Sequence, residues 1–380
     1  MITPEIDAQL RMDRLARRDE TCRFDLLDKD LHRIDVLTAD SDNPPTVTFD
    51  TGRQILRTLS GLNLPATELT VVDTLTTRIR PVAILESGAE FNLGVFMFGD
   101  ASRALHTAYR PGGGTQIATQ RMESELVDQS YILDQHMWRS LSFAIGATLS
   151  SAIDTVLDIA GVVVADVEAT PTQIREPISW VIGQTTWLEV LKELHLMAGF
   201  TPPYFDNDGV YIGRTERTLA LGQTPDFSYD MVDSDAGRIY IDTVIESDDL
   251  VQSPNRYMVI DNASTQAPIV GTYDVPADAP HSITNRGFVI PQVTTMQGLA
   301  SQQAADSAAA AEAAQDRYSY RWVEFDAHPD YRHDGFNIVA FNDELYREQS
   351  WRINLMERSG RVSMHHSLRR EYIAEDEFGS

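Results

Sequence analysis

Period-two alternation of apolar and polar side chains runs through much of this chain and is clearest near its end. Val323, Phe325 and Ala327 alternate with Glu324, Asp326 and His328, the pattern of a strand with one buried face, and Pro329 ends it. Asp334-Gly335 marks a turn; Phe336, Ile338 and Ala340 then resume the alternation, and Trp351, Ile353 and Leu355 repeat it before Ser359-Gly360. An antiparallel meander is expected here. The stretch before it differs in kind, for nine alanines fall between Ala300 and Ala314. Alanine combines high intrinsic helicity with little bulk, so Met296 to Arg317 predicts a thin helix able to lie close against another surface, with Thr294 and Thr295 as N-terminal caps.

The first 140 residues read mainly as strands. Arg23–Asp28 and Arg33–Leu37 alternate around Asp28-Lys29-Asp30 and predict a hairpin, and Val47–Asp50 adds a strand after Asn43-Pro44-Pro45. Leu75, Thr77, Ile79 and Pro81 open a further β-region, followed by Phe91–Phe98 and by an alternating Leu126–Leu133. An opening segment with Ile6, Leu10, Asp13 and Arg17 one turn apart predicts a short amphipathic helix. Helical spacing returns at Ser142–Ala160, with Ile145, Leu149, Ile153, Val156 and Leu157 on one stripe. It recurs at Trp187–Ala198, where Leu188, Leu191, Leu194 and His195 share a face and Gly199 supplies the stop. After Thr201-Pro202-Pro203, YFDNDGVYIG predicts a hairpin with Asn207-Asp208-Gly209 at its tip, and Arg238–Ile245 and Arg256–Ile260 predict further strands. The fold class expected is α+β, mainly β.

Length and charge narrow the function classes. A chain of 380 residues exceeds one ordinary core and predicts roughly two to four domains. With 31 basic and 57 acidic side chains the formal charge is -26, which opposes binding to a phosphate backbone, so specific nucleic-acid recognition is not expected. Cys22 stands alone, which excludes an intrachain disulfide or a CxxC pair, and it reads as a buried strand residue. The N-terminal MITPEIDAQLRMDRLARR has no apolar core, and the longest apolar run, Ile159–Ala165, is too short to span a bilayer. A soluble chain made in the cytoplasm, without a membrane anchor, is the expectation.

Candidate chemistry is sparse. Asp206, Asp208 and Gly209 evoke a calcium loop, but the third acidic position is missing and position twelve is Arg217, so a hairpin turn is preferred. Gly112-Gly113-Gly114 lacks the Lys-Ser/Thr of a phosphate loop and reads as a flexible loop. His365 and His366 are adjacent in a strand and point to opposite faces. His328 and His333, with Asp326, Asp330 and Asp334, form the best metal candidate, although a solvated loop is the preferred reading. Asp248-Asp249 and Glu375-Asp376-Glu377 read as solvated surface, and neither a GxSxG elbow nor an HExxH helix is present. No catalytic, cofactor-binding or metal residue is therefore assigned. Tyr204, Phe205 and Tyr211 would line a sugar site if the chain bound carbohydrate, with core packing as the preferred alternative.

The ordered series of segments adds to this reading. VTFDTGRQILRTLSGLNL at 47–64, LGVFMFGDAS at 93–102, WLEVLKELHLMAGFTPPYFDNDGVYIG at 187–213, IESDDLVQSPNRYMVID at 245–261, PIVGTYD at 268–274, the alanine-rich helix and AHPDYRHDGFNIV at 327–339 follow one another along most of the chain. That order resembles the central hub protein, or minor tail protein, at the tail tip of long-tailed bacteriophages, especially those of actinobacterial hosts. The resemblance implies two tube-like β-barrel domains, at 1–140 and 214–380, the latter containing helix 296–317, with a helix-hairpin module at 141–213. It implies a structural, non-enzymatic virion protein that forms a homotrimer around the DNA passage. The ring would join the tail tube or distal tail protein to tip, fibre or receptor-binding proteins, with the tape measure protein as a further partner and no cofactor. The opening helix around Leu10 and Leu15 and the alanine-rich helix are candidate interface elements, with packing inside their own subunit as the equal alternative. Two other readings stay open, a carbohydrate- or receptor-binding tail protein and a tail-associated cell-wall hydrolase.

Overall fold

A computed structural model describes residues 21–37, 45–65, 72–109, 115–174, 176–217, 219, 222–231, 239–240, 243–248, 253–261, 268–296, 302–316, 321–355 and 362–370. The opening helix, the triglycine segment 112–114 and residues 375–377 lie outside them. The chain divides into two compact units, one within 1–217, 327–336 and 350–365, the other within 218–326, 337–349 and 366–380.

The first unit opens with the hairpin β1 (Thr21–Leu27) and β2 (Arg33–Leu37), followed by β3 (Thr46–Asp50), β4 (Arg57–Pro65), β5 (Arg78–Ile84), β6 (Glu90–Asn92), β7 (Phe96–Tyr109) and β8 (Thr115–Asp128). The strand order β3-β4-β8-β7-β5-β1-β2 is antiparallel throughout, with β6 on the side of β5. Alternation places Val47 and Phe49 of β3 and Phe24 and Leu26 of β1 in one buried core, and an irregularity in β4 between Leu59 and Leu62 brings both of these leucines into it. Leu75, expected to begin a strand, lies exposed in a turn before β5. The alternation expected through Leu133 also ends early. Asp128 accepts a hydrogen bond from the Ser130 N–H at 2.9 Å, and α1 (Ser130–Leu133) begins in place of more strand.

A second core in this unit belongs to the helix-hairpin module. It comprises β9 (Leu141–Phe143), α2 (Leu149–Ala160), β10 (Ala165–Val167), β11 (Ile178–Trp180), α3 (Trp187–Ala198), β12 (Tyr204–Phe205) and β13 (Tyr211–Gly213). The helix expected from Ser142 is shorter than predicted: Leu141–Phe143 pair with β11, Ile145 is exposed, and Thr148 caps the helix proper by accepting from the Ser151 N–H. α3 has its predicted bounds, with a Thr186/Glu189 capping box at one end and Gly199 in the left-handed region at the other. Leu149, Ile153, Val156 and Leu157 of α2 share a core with Leu188, Leu191 and Leu194 of α3.

The second unit contains β14 (Phe227–Tyr229), β15 (Ile245–Asp248), β16 (Arg256–Asp261), β17 (Ile269–Asp274), α4 (Ile283–Arg286), β18 (Pro291–Met296), α5 (Gln302–Asp316), β19 (Arg321–Ala327), β20 (Ile338–Phe341), β21 (Glu344–Asn354) and β22 (Met364–Arg370). Ala327 of β19, Ser350–Asn354 of β21 and Met364–His365 of β22 belong to the first unit, where Ser350–Asn354 pair with β3. In the second unit the order is β15-β19-β22-β21-β20-β14. Val323 and Phe325 are buried on one face of β19, as the alternation predicts. Of the strand expected at Arg238–Ile245, Arg238, Ile241 and Asp242 lie outside the described residues, and β15 starts at Ile245; Phe336, expected in a strand, precedes β20 with φ 58°. In both units the strands follow open paths among the described residues, so the mainly-β α+β class holds while closed barrels are not formed there.

A separate sheet, β17-β16-β18, carries the alanine helix. Thr294 and Thr295 do not cap that helix, because β18 claims them: they pair in parallel with Val259 and Ile260, where β-branched residues fit the pleated surface. Ala305, Ala309 and Ala313 of α5, spaced four apart, are fully buried. The contact is with this chain's own sheet. A Cβ placed on Gly271 of β17 would stand 2.0 Å from the Ala305 carbonyl carbon, so only glycine allows the helix that close. Gln302 donates to the Val270 carbonyl and Asp306 accepts from the Thr272 N–H, covering backbone groups of an edge strand. Among the described residues, no helix is long and apolar enough to cross a membrane.

Gly271→Ala should therefore force the helix off the sheet at a cost of about 3 kcal/mol, because backbone atoms rather than a flexible side chain stand in the way. Hydrogen exchange on β16, β17 and α5 checks this; unchanged protection there would contradict the packing argument.

Candidate functional site at a buried arginine

In β4, Arg57 shares its inward parity with Leu59, so the strand that buries leucine also buries a guanidinium, 1% exposed. Its Nη1 donates to Asn207 Oδ1 at 2.7 Å and its Nη2 to Asp334 Oδ1 at 2.6 Å. The guanidinium carbon lies 5.4 Å from the Trp351 ring centre and 5.8 Å from that of Phe49, and these rings stack on each other at 6.0 Å. Trp351 Nε1 donates to the Asp334 carbonyl. Four chain segments, at β3–β4, 207, 334 and 351, thus meet at one cation.

The DNDG tip supplies the neutral partner. Asp206 Oδ1 accepts from the N–H groups of Asp208 and Val210, so its carboxylate serves the turn rather than an ion, and Gly209 takes φ 81°. Asn207 Nδ2 donates to the His333 carbonyl, and its own carbonyl accepts from the Gly94 N–H. Asn92 reaches Asp208, and Gln129 Nε2 donates to the Gly209 carbonyl at 2.7 Å. A side chain on Gly209 would come within 2.6 Å of Val95, so the tip is seated against the neighbouring loop as well as turned.

Two buried titratable groups flank this region of the unit. Burial pushes the Asp128 carboxyl up to about 6, against the opposing hydrogen bonds from Ser130 and the charge of Arg57. Burial pushes His195 down to about 4, partly offset by its bond to the Thr201 carbonyl. Neutral His195 fits its surroundings: Nδ1–H donates to the Thr201 carbonyl at 2.6 Å and Nε2 accepts from the Tyr211 hydroxyl at 2.7 Å.

Phe205 and Tyr211 are buried, and Tyr204 packs on Phe336 at 5.2 Å, so these aromatics are core and do not form a sugar platform. The 328–334 segment is not a solvated loop: Asp330 and His333 are buried, Asp330 is held by both ends of the Arg332 fork, and Asp334 is held by Arg57. Asp326 lies on β19, where its N–H donates to Thr243 Oγ1. His365 and His366 point to opposite faces as expected; His366 is buried against Glu348 at 2.7 Å, and Glu348 also accepts from Asn337. Cys22 is a half-buried strand residue whose thiol burial pushes up to about 12, which leaves it unreactive. Arg57, Asn207 and Asp128 were not recognised from sequence. The available signal was an arginine at an inward position of an alternating strand.

Compared with solved structures, the chain matches phage tail proteins almost from end to end. The tail protein from Neisseria meningitidis MC58 aligns with a TM-score of 0.61 at 12% identity, covering 92% of this chain and 97% of that one. The 43 kDa tail protein of prophage MuSo2 from Shewanella oneidensis aligns at 0.60 and 12%, covering 93% and 98%. Prophage tail protein gp18 from Listeria monocytogenes EGD-e aligns at 0.53 and 10%, covering 93% and 95%. No family model and no curated protein matches the sequence. The chain has the fold of phage tail proteins, which is the class its segment order resembles.

Removing the central cation strands Asp334 and takes away a positive charge that favours ionised Asp128, so Arg57→Ala should cost about 3–5 kcal/mol in urea unfolding. A loss below about 1 kcal/mol would show that the site is not a brace.

The flanking groups have opposite pH signatures. The His195 contribution is complete above pH 6.5 and is lost as pH falls to about 4; that of Asp128 is complete below 3.8 and is lost as pH rises through about 6. Asp128→Asn should thus stabilise the protein by on the order of 2 kcal/mol at pH 7, a gain that disappears as pH falls to 4. Urea midpoints for parent and variant across that range check the sign, and a pH-independent gap would contradict it.

Proposed function

We propose that this chain is a structural component of the tail tip of a bacteriophage, the hub at the end of the tail tube. The observation that carries the reading is the end-to-end likeness to phage tail proteins, 97–98% of whose chains are covered in the two best-scoring matches described above.

In this reading three copies close a ring in the virion. Two similar domains per copy would present six positions to the tail tube or distal tail protein, while tip, fibre or receptor-binding proteins and the tape measure protein dock on the other surfaces. The -26 charge suits a passage for DNA, because a negatively lined lumen repels phosphates and lets the genome slide without adhering. Host recognition and wall digestion then fall to the partners.

Electron microscopy of the purified chain, and of tails containing it, is the direct test. A ring of threefold symmetry on the tail axis is expected. Peripheral density with no axial copy would replace the hub reading with that of a receptor-binding protein.

A further inference from the structure

Two loops of the helix-hairpin module, 135–140 and 181–187, run side by side. The Met137 N–H donates to the Thr185 carbonyl and the Gly183 N–H to the Met137 carbonyl, both at 3.0 Å. The Ile182 N–H donates to Ser140 Oγ at 3.0 Å, and the Trp187 N–H to the Gln135 carbonyl at 3.2 Å. On this pinned backbone Trp138, Val181 and Ile182 keep 61%, 50% and 53% of their surface in water. The Trp138 ring is braced edge-on by buried Trp187 at 6.3 Å, and the Arg139 guanidinium stands 5.5 Å over it.

Two facts mark this strip off from a chance exposure of apolar groups. Arg139 is exposed and, among the described residues, makes no ion pair, in a chain with 57 acidic side chains. The sequence from Gln135 to Ile153 contains no Asp or Glu at all. A rigid tryptophan beside an arginine, with aliphatic neighbours, has the composition of an interface centre, and the backbone bonds mean that little ordering entropy remains to be lost on binding.

We propose that this strip is a docking surface for a partner polypeptide that lays an apolar side chain on Trp138 and sets a carboxylate against Arg139. Charge complementarity selects that chemistry, since the Arg139 guanidinium is exposed without an ion pair among the described residues, while the Glu189 carboxylate at the 181–187 loop is already engaged by Thr185 Oγ1 and the Thr186 N–H. A stacked sugar fits less well, because the guanidinium covers a face of the indole and Val181 and Ile182 bring no side-chain hydrogen bonds. The proposal rests on the tail reading only for its source of partner, another tail protein.

The test is selection of a random peptide display library on the full chain, with counter-selection on Trp138→Ala and Arg139→Glu. Both positions are exposed, so both variants should keep the parent's thermal unfolding. Enriched peptides should share an Asp or Glu beside a Leu, Ile or Phe, lose about tenfold or more in affinity on either variant, and weaken with added salt. No enrichment, peptides without acidic residues, or peptides that bind the variants as well as the parent would overturn the proposal. So would a glycan-array signal that vanishes with Trp138→Ala. Absence of the chain from purified tails would sink the tail reading alone and leave this readout unchanged.

Discussion

A guanidinium removed from water costs several kcal/mol unless its donors find acceptors and its faces find rings, and Arg57 places both terminal nitrogens on acceptors and its face on two rings, leaving Nε as the one unmatched donor. The consequence is organisational. Asn207 belongs to the helix-hairpin module, Asp334 to a loop far along the chain, and Phe49 and Trp351 to adjacent strands; each is placed by the same side chain. Once the cation is buried, the hairpin tip must sit where its amide can reach it, and the seating of Gly209 against Val95 follows. The energy of the arrangement is cooperative, since removing any one acceptor leaves charge unmatched in a site closed to water.

Close approach is achieved by deleting side chains, and Gly209 and Gly271 show two uses of it. At Gly209 this seats a turn against a neighbouring loop, and at Gly271 it seats a helix against a sheet. In the second case the helix has an additional task. Gln302 and Asp306 satisfy backbone groups of β17, so an edge that would invite another strand is covered by the protein itself. That matters for a chain proposed to work in an assembly, where unintended strand pairing competes with the intended contacts. The alanine stripe, which from sequence fits either another subunit or the same one, packs inside the unit, whereas the exposed tryptophan strip was not distinguished by any periodicity.

Local signals were read well where one physical rule acts alone. The Arg23–Asp28 and Arg33–Leu37 hairpin, helix Trp187–Ala198 with its cap and glycine stop, the DNDG turn and the β19 alternation all appear as the residue pattern predicts. Errors came where a second interaction overrides the first. Thr294 and Thr295 are good caps and also good strand residues, and a parallel partner decided between them. Ser142 and Ile145 have helical spacing, but pairing with β11 takes the first and leaves the second in water. The 328–334 segment has the composition of a solvated turn, yet its own Arg332 and Arg57, brought from elsewhere, neutralise Asp330 and Asp334 and allow it to be buried.

By itself, the sequence determined the mainly-β α+β class, the positions of most strands, the absence of an intrachain disulfide and the acidic surplus that weighs against nucleic-acid recognition, because these depend on alternation, composition and charge within short windows. Only the tertiary structure decided which polar residues are buried, since the partner of Arg57 at Asp334 is 277 residues away and no local pattern encodes that meeting. It also decided where the alanine helix packs and which tryptophan remains exposed. A side chain's environment is set by what the rest of the chain brings to it, and alternation specifies the face it points to without specifying what waits there.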